Sequence, residues 1–195
     1  MTPRRVFAEP GPAVRFIAGA YGSLVTARAG ARALDAAEVA GMIRSLQRSR
    51  LDPYLLGAVC ALGECCVALG DASLAKRPEE MLRIAHDRGT SFAAGWPSLL
   101  PRVIGQLAAL DARWDESESW LERAIAVARG SGARVELALS LADRARVRGK
   151  RRDGRRDPSR ARTDLDEAVA LSEELELRPA LRSALALRRG LRAAD

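Results

Sequence analysis

Residues 101–125 read PRVIGQLAALDARWDESESWLERAI. Val103, Ile104 and Leu107 recur at helical spacing, and so do Trp120, Leu121, Ala124 and Ile125 beyond a polar turn at 111–114. Two helices joined by so short a turn run antiparallel. Small residues stand where such helices meet: Gly105, Ser117 and Ala124 are spaced by 12 and 7, with Leu121 between the last two and Trp114 three before Ser117. Small side chains let two backbones approach closely, and a large one fills the space beside them. The stretch predicts a tight helical hairpin whose outer faces need covering by further helices.

Working outward, the same spacing recurs downstream. Ala161 and Ala168 are seven apart with Leu165 between them and Pro158 three before the first. Around these hairpins the chain predicts about nine helices: 13–29, 35–50, 53–70, 73–87, 97–110, 115–129, 133–147, 157–175 and from 179 onward. Asp35, Asp52 and Asp115 are candidate N-caps, and Asp157-Pro158 is a cap followed by proline in the first turn. Gly70 and the run Gly130-Ser131-Gly132 are stop signals. Residues 1–12, with three prolines, read as an irregular lead-in; 13–195 read as a single helical-repeat domain, less regular over 13–95 and repeat-like over 96–195. Hairpin units that cannot cover their own apolar faces stack into an α-solenoid, and the spacing of small residues is that of a tetratricopeptide repeat.

Composition agrees with an all-α chain. Ala and Leu make about a third of the 195 residues and aromatics only 4%, which argues against a β-sandwich or barrel. The hydrophobic class at 48% excludes a disordered tail. The longest apolar run, residues 53–69, carries Glu64 and is shorter than the roughly 20 residues that span a bilayer. Arg4, Arg5 and Phe7 hint at a twin-arginine export signal, but Glu9, Pro10, Gly11, Pro12 and Arg15 interrupt the apolar stretch it needs. Cys60, Cys65 and Cys66 lack the spacing of a zinc knuckle, and His86 is the single histidine, so no metal or cofactor is expected. Buried thiols in a reducing cytoplasm are the expectation.

From Pro101-Arg102-Val103-Ile104-Gly105 to Leu121-Glu122-Arg123-Ala124-Ile125 the chain resembles the C-terminal tetratricopeptide-like region of large bacterial signalling proteins. These join an ATPase module to a nucleotide cyclase or to a helix-turn-helix domain, as in LuxR-type transcriptional regulators. Gly132-Ala133, Glu136-Leu137-Ala138, Asp143 with Ala145-Arg146, and Leu165, Glu167-Ala168 and Leu175 continue the likeness over about residues 75–190. The family pattern has alanine where this chain has Ser117 and glycine where it has Ala112. No Gly-rich phosphate loop ending in Lys-Ser or Lys-Thr is present, nor a cyclase carboxylate pair, nor a recognition-helix module, so the enzymatic and DNA-binding activities do not carry over. The resemblance implies a non-catalytic regulatory or interaction segment.

The candidate site follows from the register. The first helix of each pair lines the inner face of such a stack, which puts Arg102, Gln106 and Arg146 on a groove for a protein or peptide partner. The helix over 133–147 leaves its register open, because either Ala142 or Ala145 serves as its close-packing residue. A second candidate is basic. Ten arginines and lysines between Arg144 and Arg162 face only Asp153 and Asp157, a local +8 against the chain's net +7, so the remainder is near −1. Arg148, Lys150, Arg151, Arg152, Arg155 and Arg156 read as a solvated inter-helix loop. An acidic protein partner is the second reading, and a nucleic-acid-binding module over 144–162 the third, since no aromatic follows Trp120 to stack on bases. Asp111, Asp115, Glu116 and Glu118 read as capping groups at a helix N-terminus. Trp120 reads as a core or inter-repeat wedge, and Trp96 as a staple at a helix entry. Ser23 lacks a nucleophile elbow and His86 a triad partner, so the chain reads as non-enzymatic.

Overall fold

The computed structural model describes residues 12–28, 33–46, 53–93, 97–151 and 157–192. The lead-in before Pro12, the Asp52 cap, Trp96, Arg152, Arg155 and Arg156 lie outside them. Among the described residues the fold is all-helical with nine α-helices: α1 Pro12–Arg28, α2 Ala36–Leu46, α3 Leu56–Leu69, α4 Lys76–Asp87, α5 Leu100–Leu110, α6 Trp114–Ser131, α7 Arg134–Lys150, α8 Pro158–Glu174 and α9 Arg178–Arg192. Each packs on the next in sequence. In addition α1 touches α3, α3 touches α5, α5 touches α7 and α7 touches α9, so the odd helices form one continuous layer.

Local chemistry sets the ends. Asp35 Oδ1 accepts from the backbone N–H groups of Ala37 (2.8 Å) and Glu38 (3.2 Å), and Asp157 Oδ1 from that of Arg160 (2.9 Å), so both expected caps are made. Gly70 and Gly132 end α3 and α6 with φ +70° and +69°, the left-handed conformation glycine adopts without strain. α6 therefore runs through Gly130 and Ser131, past the expected stop. α5 starts at Leu100, three residues later than Pro97. The preceding segment is held extended instead: Phe92 and Leu99 form an isolated antiparallel bridge, and Ser91 O accepts from Leu100 N–H (2.9 Å). Pro101 takes the first turn, where its missing N–H is no loss. Residues 149 and 150, expected in a loop, belong to α7.

The hairpin of residues 101–125 closes as its small residues require. A methyl group on Gly105 would meet Leu121 Cγ at 2.8 Å and the Ser117 carbonyl oxygen at 3.2 Å. The Ser117 hydroxyl donates to the Gly105 carbonyl (2.7 Å), so it is satisfied although fully buried. Ala124, Ala161, Leu165 and Ala168 are all buried. The core runs along the chain in three parts. The first joins α1 to α5, the second holds Ala124, Ile125, Leu141 and Ala168, and the third holds Ala145, Leu165, Ala184 and Leu191.

Candidate functional site

Arg102 is placed on α5 by the same turn that starts the helix, and only 2% of it is exposed. Its guanidinium is a hub. Nε donates to Glu136 Oε2 (2.9 Å), one terminal nitrogen donates to Asp143 Oδ2 (3.3 Å), and the other to Glu64 Oε1 (2.8 Å) and Ser98 Oγ (3.0 Å). Glu64 comes from α3, while Glu136 and Asp143 come from α7; all three are buried. Leu99 N–H adds a further bond to Glu136 Oε2 (2.9 Å). Burial alone would favour the neutral guanidine, but the Glu136 and Asp143 carboxylates outweigh it and raise the pKa of Arg102. A charge this enclosed and this fully bonded ties α3, α5 and α7 together. Arg102 therefore does not line an open groove, in correction of the expectation from register.

Gln106 and Arg146 sit at the edge of this hub. Gln106 Nε2 donates to Asp143 Oδ2 (2.6 Å), and Arg146 pairs with the other oxygen of Asp143. Both line a hollow of about 240 Å³ with Val67, Trp114, Asp143 and Lys150. A second hollow of about 510 Å³ opens between α7 and α9, floored by Ala145, Gly149, Leu187 and Leu191. Arg146 and Lys150 wall both hollows, so the two adjoin along α7. Gln106 thus lines the smaller hollow and Arg146 both, and sequence reasoning missed Lys150 as a shared wall by assigning it to a loop.

Of the expected basic loop, the described residues Arg148, Lys150 and Arg151 do not form a solvated loop. Arg148 lies inside α7 and Arg151 directly after it, each 6% exposed. Arg148 donates to Asp164 of α8 (2.9 Å) and to Glu118 of α6, while Arg151 donates to Glu118 (3.1 Å) and Asp115 (2.7 Å). Arg144 makes a two-point pair with Asp164 (2.9 and 2.7 Å). Lys150 is exposed and, among the described residues, makes no ion pair. Carboxylates from α6 and α8 thus pair three of the ten basic residues, Arg144, Arg148 and Arg151.

Asp115 and Glu118 belong to the acidic turn, whose members act otherwise than expected. No side chain caps α6, whose N-cap position is Arg113. Glu116 is bonded by Arg83 and Arg113, and Asp111 by Arg113 (3.2 Å). Burial would raise the Glu116 pKa, but the two guanidiniums outweigh it and hold the carboxyl below its usual range. Arg113 also reaches Glu79 of α4 (2.6 Å), so this cluster staples α4 to the α5–α6 turn. Trp120 is buried, with His86 edge-on at 4.9 Å and the guanidiniums of Arg83 and Arg123 over its ring at 5.3 and 4.7 Å. It wedges α4 against α6, as the sequence suggested.

Cys60, Cys65 and Cys66 are buried thiols. Burial pushes Cys60 up to about 12 against the pull of Arg102, and burial with the neighbouring Cys65 does the same for Cys66. Among the described residues no group of three or more His, Cys, Asp or Glu side chains is arranged to hold a metal ion, and no helix is long and apolar enough to cross a membrane. No protein-family model matches the chain, and a search of the curated proteins finds no significant match.

Proposed function

We propose that the chain is a non-catalytic scaffold of tetratricopeptide-like helix pairs that holds a protein partner along the layer formed by α3, α5, α7 and α9. The observation that carries this reading is the pair of adjoining hollows walled in common by Arg146 and Lys150. Helix pairs stacked in one direction leave such a layer open on one side, and extended recesses on it are where repeat scaffolds take their partners. The resemblance over residues 75–190 adds that the scaffold works as the regulatory or sensory segment of a bacterial signalling protein or transcriptional regulator in the cytoplasm. Binding of nucleic acid is the poorer reading, because Arg144, Arg148 and Arg151 already spend their charge on Asp115, Glu118 and Asp164.

Site-specific photo-crosslinking in the native cell tests it. A photoreactive residue replacing Gln106 should trap one protein partner, and Lys150→Glu should abolish the adduct while circular dichroism stays unchanged. The same residue at the exposed Glu122 of α6 should trap nothing in particular. Equal trapping at both positions, or an adduct indifferent to Lys150→Glu, would sink the proposal.

A further inference from the structure

The recess between α7 and α9 carries more information than its size. Its floor is apolar and low: Ala145 and Gly149 lie one turn apart on α7, and Ala186 and Gly190 one turn apart on α9, with Leu187 and Leu191 between. The two glycines differ. A methyl group on Gly149 would strike Leu191 Cδ2 at 2.7 Å, so that glycine serves the packing of α7 on α9. A methyl group on Gly190 would meet nothing within 4 Å, so that glycine faces open space in the recess.

The rim is basic. Arg146 and Lys150 wall the α7 side. On α9, Arg182 and Arg189 stand four before and three after Ala186, which makes them its neighbours on the solvent side of the helix. Both are exposed, and neither they nor Lys150 makes an ion pair among the described residues. α9 contains no carboxylate at all. Two neighbouring arginines point elsewhere: Arg188 reaches Asp166 of α8 (3.4 Å), and Arg148 reaches α6 and α8. The carboxylate that lines the adjoining hollow, Asp143, is already engaged by Arg102, Gln106 and Arg146.

We infer that this recess takes the apolar face of an acidic amphipathic helix from a partner protein. A low apolar floor between two helices admits a third helix, whose large side chains at i, i+3, i+4 and i+7 enter the hollow left by the small ones. Carboxylates flanking that apolar stripe meet Lys150, Arg182 and Arg189. The inference rests on the proposed scaffold function and names the partner's chemistry.

The test uses the full chain and a labelled peptide of about 18 residues, leucine at every third or fourth position and glutamate or glutamine elsewhere, read by fluorescence anisotropy. Saturable binding is expected, with a peptide of the same composition but scrambled order at least about tenfold weaker. The Cβ of Gly190→Leu meets nothing within 4 Å and leucine favours the helix, so the variant should keep the fold and weaken binding about tenfold or more. Lys150→Glu with Arg189→Glu should also weaken it and transfer preference to the peptide carrying lysine for glutamate. Equal binding of the scrambled peptide, indifference to Gly190→Leu, tighter competition by a short DNA duplex, or a chain dimer that Gly190→Leu dissociates would each overturn the inference. If Gln106 crosslinks a partner while the acidic helix does not bind, only the partner's chemistry is wrong; if Gln106 traps nothing, the scaffold reading itself falls.

Discussion

Gly105 and Ala112 each lie five residues from an end of the short stretch that runs from Leu100 to Ser117, and they ask opposite things of a side chain. At Gly105 there is no room: the nearest atoms to an added methyl, Leu121 Cγ at 2.8 Å and the Ser117 carbonyl oxygen, belong to the facing helix. Gly105→Ala should therefore destabilise the chain by about 1–3 kcal/mol despite alanine's better helix propensity, because the hairpin must open to admit it. A urea midpoint at or above the parent's would refute the close approach. At Ala112 there is room but the wrong backbone: its φ is +55°, where a side chain costs about 1 kcal/mol. Ala112→Gly should raise stability by about 0.5–1 kcal/mol, read as a higher urea midpoint with an unchanged slope. Gly105 was legible in the sequence because close packing depends on a spacing that repeats. The left-handed turn at Ala112 was not, since alanine gives no sign of a positive φ.

Among the elements, ion pairs do the joining that a local pattern cannot show. Arg102 fastens α3 to α7 through α5, and Arg148 with Arg151 fastens α6 to α7, Arg148 reaching on to α8. The partners lie far away in sequence, so Arg102 read as a groove residue and Arg148 and Arg151 as a loop. Glu64 alone left a trace, as the carboxylate that interrupts the apolar run at 53–69. Removing the cation at the hub leaves Glu64, Glu136 and Asp143 without their common partner. Arg102→Met should then destabilise by about 3–5 kcal/mol, and Glu64→Gln with Glu136→Gln and Asp143→Asn added should recover much of that loss. Single-variant loss below about 1 kcal/mol would show that the hub is not what joins these helices. The α4–α6 staple makes a pH prediction. Glu116 has a depressed pKa in the folded state, so it contributes stability above its unfolded value, near 4.3, that is lost as pH falls through the folded value. Urea midpoints should hold level from neutrality to about pH 5 and decline below it, and Glu116→Gln should flatten part of that decline. An unchanged acid slope in Glu116→Gln would remove this carboxylate from the account.

Taken whole, the molecule has three core regions laid along the chain, and from α5 onward each helix packs mainly on its sequence neighbours. The helical class and the hairpin at 101–125 were legible because both follow from spacing within some twenty residues. The recess on α7 and α9 was not, because it arises where two helices some forty residues apart lie side by side and where Lys150, assigned to a loop, turns out to be helical. This linear arrangement has a thermodynamic consequence. In a chain stacked by nearest-neighbour contacts, a lesion loosens the helices around it and leaves distant ones closed. Leu165 of α8 is fully buried in the third region, among Ala145, Ala161 and Ala184. Leu165→Ala should cost about 2–5 kcal/mol locally. Hydrogen exchange should then speed up in α7, α8 and α9, while α3 and α4, whose cores hold Leu62 and Leu82, keep the parent's protection. The binding recess would be loosened with its walls, so the same variant should weaken any α7–α9 ligand without touching that ligand's contacts. Equal acceleration across all helices would instead mark one cooperative bundle, in which the recess borrows its rigidity from the entire molecule.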